Sequence, residues 1–153
     1  MNEKLLLRTP SRRNAIAIFV CMKISATIKS AHNQHDAVVQ TNDSVKAMNI
    51  AVKQTGFGSS VNGGELLMLS LATCFCNDIY REAAKRNMEI TGVEVEVMGV
   101  FGAEGEPGFD FRYKANVTAN ATDEEIVDLI AHTDKVAEIH NTLRKGIEIT
   151  LTK

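Results

Sequence analysis

Residues 65–76 constrain this chain more than any other stretch. Glu65-Leu-Leu-Met-Leu-Ser-Leu-Ala-Thr-Cys-Phe-Cys76 is apolar almost all round a helical wheel, which predicts a helix buried on most of its faces. The pattern continues to Arg86 with growing polarity, and Arg81, Lys85 and Arg86 collect at the C-terminal end, where cations suit the helix dipole. A helix over 65–86 would be about 33 Å long at ~1.5 Å per residue. No run approaches the ~18 apolar residues of a membrane span, so the helix must be wrapped by protein. We therefore expect it to form the centre of the core.

The wrapping comes from segments of period two. Met22, Ile24, Ala26 and Ile28 alternate with polar residues, and residues 37–41 and 45–53 follow after the turn signals 30–36 and 42–44. Three strands are expected there. Beyond the helix, Val93, Val95 and Val97 share one face. After Glu104-Gly-Glu-Pro-Gly108, residues Phe109, Phe111, Tyr113, Ala115, Val117 and Ala119 share another, which describes a hairpin with one apolar side. Thr122-Asp-Glu-Glu125 is a capping box that opens a helix; a second helical stretch carries Val136, Ile139 and Leu143 and ends near Gly146. Ile147, Ile149 and Leu151 alternate as a final strand. The order βββ-α-ββ-αα-β is that of an α+β domain.

Charge is uneven. Residues 1–30 hold six of the 17 basic groups and one of the 19 acids. The eight-residue apolar run that ends at Met22 is short for a secretory signal. Residues 1–21 therefore read as an extension upstream of a functional start at Met22, and 22–153 as one domain. A net charge of −2 argues against a nucleic-acid partner, and the absence of a span argues against a membrane. Three cysteines, an odd number, suit reduced thiols in a cytoplasm better than a disulfide framework. The Gly-rich loop 55–64 lacks the Gly-Lys-Ser/Thr ending of a phosphate loop.

Cys74 is the candidate nucleophile, weighed against the ordinary buried cysteine that packs as a small hydrophobe. Cys76 lies ~200° away on the same helix, so the two sulfurs point apart and suit neither a disulfide nor a metal. Ser70, Asp78 and Arg81 share the Cys74 face. His32 and His35 fall in a turn. His132 and His140 lie in the late helical region, and either can approach Cys74 only through the fold. No metal ligand set or cofactor motif is evident.

Two stretches resemble the OsmC/organic hydroperoxide resistance family: Asn62-Gly-Gly-Glu-Leu-Leu-Met-Leu-Ser-Leu-Ala-Thr-Cys-Phe75, its central helix, and Asn141-Thr-Leu-Arg-Lys-Gly-Ile-Glu-Ile149, its last helix and strand. The likeness spans residues 22–153. It implies an OsmC-like fold with an interlocked homodimer, and stress-response peroxidase chemistry at the subunit interface. There, Cys74 attacks the peroxide and a second cysteine resolves the sulfenic acid. The resolving position falls on Ala137. The family's Glu falls on Gly64, with Glu65 one residue later, and no arginine lies between Arg13 and Arg81. Glu65 lies nine residues before Cys74, about 13.5 Å along a helix, and could act on Cys74 only if the helix is broken or if it comes from the partner subunit.

Two functional readings follow. One is thiol-dependent reduction of organic hydroperoxides through Cys74, with Glu65 in support and an external thiol as reductant. The other is a non-peroxidase dimer whose interface pocket binds a hydrophobic or thiol-bearing small molecule, for which His140 and Cys76 are the candidate binding residues.

Overall fold

The computed structural model describes residues 21–152, so the proposed extension 1–21 lies outside the described residues except for Cys21. The chain divides into two compact units at Gly58/Ser59, and each is described by itself.

The first unit is an antiparallel meander of β1 (Ile24–Ala31), β2 (Gln34–Thr41) and β3 (Ser44–Met48). Pairing runs through Ile28↔Ala37 to Ala31↔Gln34, so only His32 and Asn33 reverse the chain, and the turn is tighter than residues 30–36. Asn33 and Asn42 adopt φ of 57° and 49° at the two reversals, a conformation that asparagine tolerates better than most residues. The third strand stops at Met48, short of Ile50 and Val52. The expected half-burial of β1 is not met: Ile24 is 65% and Ile28 53% exposed. A three-stranded meander buries an apolar face only where a second layer covers it.

The second unit holds the core. Helix α1 (Gly63–Lys85) begins at the N-cap Asn62, whose side-chain oxygen accepts from the Glu65 N–H, while the Glu65 carboxylate accepts from the Asn62 N–H. Strands β4 (Ile90–Val100) and β5 (Phe109–Ala119) form the expected hairpin, with Val93↔Val117, Val95↔Ala115 and Val97↔Tyr113 in register. A register shift falls between Met98 and Val100, where the Phe111 ring lies in the space a Cβ on Gly99 would need. Helix α2 (Asp123–Val136) opens with the Thr122/Glu125 capping box, and α3 (Glu138–Lys145) follows after a break at Ala137.

Phe75, Ile79 and Ala83 of α1, Leu129 of α2 and Ala137 are buried together against Val93, Val95, Tyr113, Ala115 and Val117 of the hairpin. Burial of α1 is therefore a stripe rather than the all-round burial expected of its apolar half. Leu71, Phe75, Asp78, Ile79, Glu82 and Ala83 are buried, while Leu69 is 56% exposed. One hairpin and two helices of this unit cover one side of a cylinder about 10 Å wide. The expected last strand is absent. Residues 147–151 belong to no strand, and Ile149 and Leu151 are 90% and 97% exposed. Alternation makes a segment fit for a ladder, but a ladder also needs a neighbour. Among the described residues no helix is long and apolar enough to cross a membrane.

Candidate functional site

Spacing of four places Cys74, Asp78 and Glu82 one above another on α1. The two acids are almost wholly buried, each residue 3% exposed. Buried carboxylates are tolerated only with partners, and a single cation supplies most of the pairing. One Arg81 Nη1 lies 2.7 Å from Asp78 Oδ1 and 3.2 Å from Glu138 Oε1, and its Nε lies 2.9 Å from Glu82 Oε1. Lys85 Nζ (2.7 Å) and His132 Nε2 (3.2 Å) complete the shell of Glu82. Hydrogen bonds from Lys85 first, then Arg81, hold the Glu82 carboxyl down at about 2. The Arg81 guanidinium is held charged above all by its bond to Glu82.

Above this ladder the thiol of Cys74, half-buried, donates to Asp78 Oδ2 at 3.4 Å, a length that sulfur's size allows. The backbone N–H of Ile139, in the first turn of α3, hydrogen-bonds the same sulfur. Helix α3 starts at Ala137, which has no side chain able to cap it, so the sulfur meets an otherwise open helix start. Burial pushes the thiol pKa up. The Ile139 N–H pulls it down, and the charges of Asp78 and Glu138 push it further up. Asp78 is itself raised, by burial first, against the pull of Cys74 and Arg81. Both groups are thus biased toward their protonated forms, with the thiol directed at an Asp78 carboxyl oxygen.

The ligand atoms of Cys74, Asp78 and Glu138 lie within 4.8 Å of one another. Both carboxylates already face the Arg81 guanidinium, so the cluster is a compensated ion-pair network, and a metal would have to displace that cation.

The other expected residues fall elsewhere. Glu65 is spent on the capping box at the far end of α1. Cys76 lines a shallow groove with Ala72, Thr73, Asn77 and Val95, apart from Cys74; both cysteines are free thiols. His140 is 5% exposed, with ring centroids 4.6 Å from Tyr113 and 5.4 Å from Phe75. Its two ring nitrogens have no hydrogen-bond partner among the protein atoms. Burial, then the Arg144 charge, lowers its pKa. It borders a cavity of about 120 Å³ with Leu71, Val97, Phe111 and Leu143. Ala137 is fully buried in the same core cluster as Phe75 and directly precedes Glu138. Asp78 and Arg81 were visible on the Cys74 face, but Glu138 was missed. Its approach depends on the α2–α3 break, which no periodicity marks.

A long helix that presents one thiol to a buried acid, backed by a hairpin and two short helices, defines an α+β thiol protein. The family model described as OsmC-like protein matches residues 56–152, and the chain belongs to that family. Solved structures similar in fold include an OsmC-like protein from Mycoplasma pneumoniae (18% identity, TM-score 0.56, covering 81% of this chain and 87% of that one). Another is an organic hydroperoxide resistance protein OsmC from Legionella pneumophila (19%, TM-score 0.53, covering 80% and 89%). A third is a putative organic hydroperoxide resistance protein from Vibrio cholerae O1 biovar eltor with captopril bound in one of its active sites (24%, TM-score 0.53, covering 88% and 90%). No curated protein matches the chain.

Proposed function

We propose that this protein is a cytoplasmic homodimer that reduces organic hydroperoxides through Cys74 and is regenerated by an external thiol. One observation carries the reading. The sulfur on the central helix is partly accessible and hydrogen-bonded to a buried, cation-held carboxylate, an arrangement that packing alone does not require. The family and the hydroperoxide resistance proteins among its structural neighbours supply the substrate class. Ala137 offers no second sulfur, and Cys76 faces elsewhere, so a small external dithiol completes the cycle. In this account the partner subunit covers the open side of α1.

A second reading draws on the raised thiol and on the apolar cavity beside His140: a dimer that binds a small hydrophobic molecule without turnover. Peroxide consumption by the purified full chain with a dithiol and cumene hydroperoxide separates the two. Turnover that vanishes in Cys74→Ser supports the enzyme; turnover that never appears, or that survives the substitution, removes it.

A further inference from the structure

We infer that Asp78 is the general base of this site, accepting the Cys74 proton as the sulfur attacks and returning it to the departing alkoxide, with Arg81 as its positioning residue. The inference rests on the reading of Cys74 as the attacking sulfur. Its geometric basis is a division between the two oxygens of one carboxylate. Oδ1 of Asp78 is taken up by Arg81 at 2.7 Å, which leaves Oδ2 aimed at the thiol at 3.4 Å. Arg81 is held further by Glu82 on its Nε at 2.9 Å and by Glu138 on the same Nη1 at 3.2 Å. The carboxylate is therefore oriented toward the sulfur although it is 3% exposed.

The charged groups around the pair are Arg81 and Glu82 on α1 and Glu138 on α3, with His132 of α2 one step further, on Glu82. Two acids close to the sulfur and one shared cation do not store a thiolate. The resting thiol keeps its proton, and that proton must leave during attack rather than before it. The Ile139 N–H then meets the negative charge that develops on sulfur.

The step balances as follows. The S–H proton passes to Asp78 while sulfur bonds to the terminal peroxide oxygen. The O–O bond breaks with its electron pair on RO, and RO takes the proton from Asp78 to leave as ROH. Sulfur loses two electrons and becomes sulfenic acid, and the peroxide is reduced by the same two. One thiol of an external dithiol condenses with the sulfenic acid, releasing water. Its second thiol then frees Cys74 and leaves as a cyclic disulfide.

The test compares two reactions of Cys74 in the full chain and in Asp78→Asn: alkylation by iodoacetamide across pH, and single-turnover oxidation by cumene hydroperoxide at pH 7. Alkylation requires only a thiolate, so removing the carboxylate charge shifts its midpoint down and speeds it at pH 8. Oxidation requires the base, so it slows by roughly 10²–10⁴-fold, and Asp78→Glu restores part of the loss. The two rates move in opposite directions, which a merely structural role does not produce. If oxidation rises together with alkylation, or does not change, Asp78 is no base. A wild-type chain that no hydroperoxide oxidises fails at the activity itself, and that failure is read on the unsubstituted protein before any variant. Should Asp78→Asn not fold, a normal solvent deuterium isotope effect on wild-type oxidation supports the base, and its absence overturns it.

Discussion

Phe75 follows Cys74 on α1 and is the pivot on which the site is built. Its side chain is fully buried, with ring centroids 4.9 Å from Tyr113 on β5 and 5.4 Å from His140 on α3. It thus joins α1 to both the hairpin and the last helix. Replacing it by alanine removes the transfer energy of the ring and leaves a cavity that rigid neighbours on several elements cannot close. Large-to-small changes of this kind cost about 3–5 kcal/mol. The two edge-on aromatic contacts, each worth ~0.5–1.5 kcal/mol beyond area, place Phe75→Ala in the upper part of that range. At roughly 2–4 °C per kcal/mol for a chain of this size, the unfolding midpoint falls by about 8–20 °C. The control is Val127→Ala on α2, where the side chain is 66% exposed and the cost stays within ~0.5 kcal/mol. Urea unfolding followed by circular dichroism gives both values. A Phe75→Ala loss below about 1 kcal/mol, or equal losses for the two variants, would refute a core centred on this ring.

Glu82 is held at about 2 by Lys85 and Arg81, below its ordinary value, so it stabilises the fold fully above the ordinary glutamate range and progressively less as pH falls toward 2. The urea midpoint of wild type should exceed that of Glu82→Gln near neutrality and approach it in acid; a constant gap argues against the ion pairs. Burial, then the Asp134 hydrogen bond, raises Tyr113 to about 12. A raised phenol weakens the fold as pH climbs from the ordinary tyrosine value to that point. In Tyr80→Phe, which leaves Tyr113 as the only tyrosine, tyrosinate absorbance should have its midpoint near about 12; a midpoint near ~10 means that the ring is not buried. Light scattering at micromolar concentration should report about twice the chain mass of 16.7 kDa; a value near 16.7 kDa removes the homodimer.

What could be read from sequence was what local chemistry decides. The hairpin declared itself through strict alternation on both arms, with Val95↔Ala115 directly opposed. Thr122 and Glu125 named the start of α2, because a capping box is satisfied within four residues. Asn62 and Glu65 carry the same reciprocal pair, yet Glu65 drew attention as a site residue because the family resemblance points there. What could not be read depended on partners distant in the chain. Residues 147–151 alternate like a strand but pair with none among the described residues, and Ile24 and Ile28 alternate on β1 yet are exposed. Asp78 was visible four residues from Cys74. That Arg81 would turn to Asp78 and Glu138 rather than to the sulfur depends on α3 starting anew at Ala137. Ala137 sits at that break in an extended conformation (φ −68°, ψ 107°), and no periodicity announces it.

Sulfenic acid at Cys74 is the most direct test of the account. The full chain, treated with one equivalent of cumene hydroperoxide in the presence of dimedone and digested, should carry the dimedone adduct on the peptide containing Cys74, with Cys76 unmodified. An unmodified Cys74, or an adduct on Cys76 instead, would contradict it.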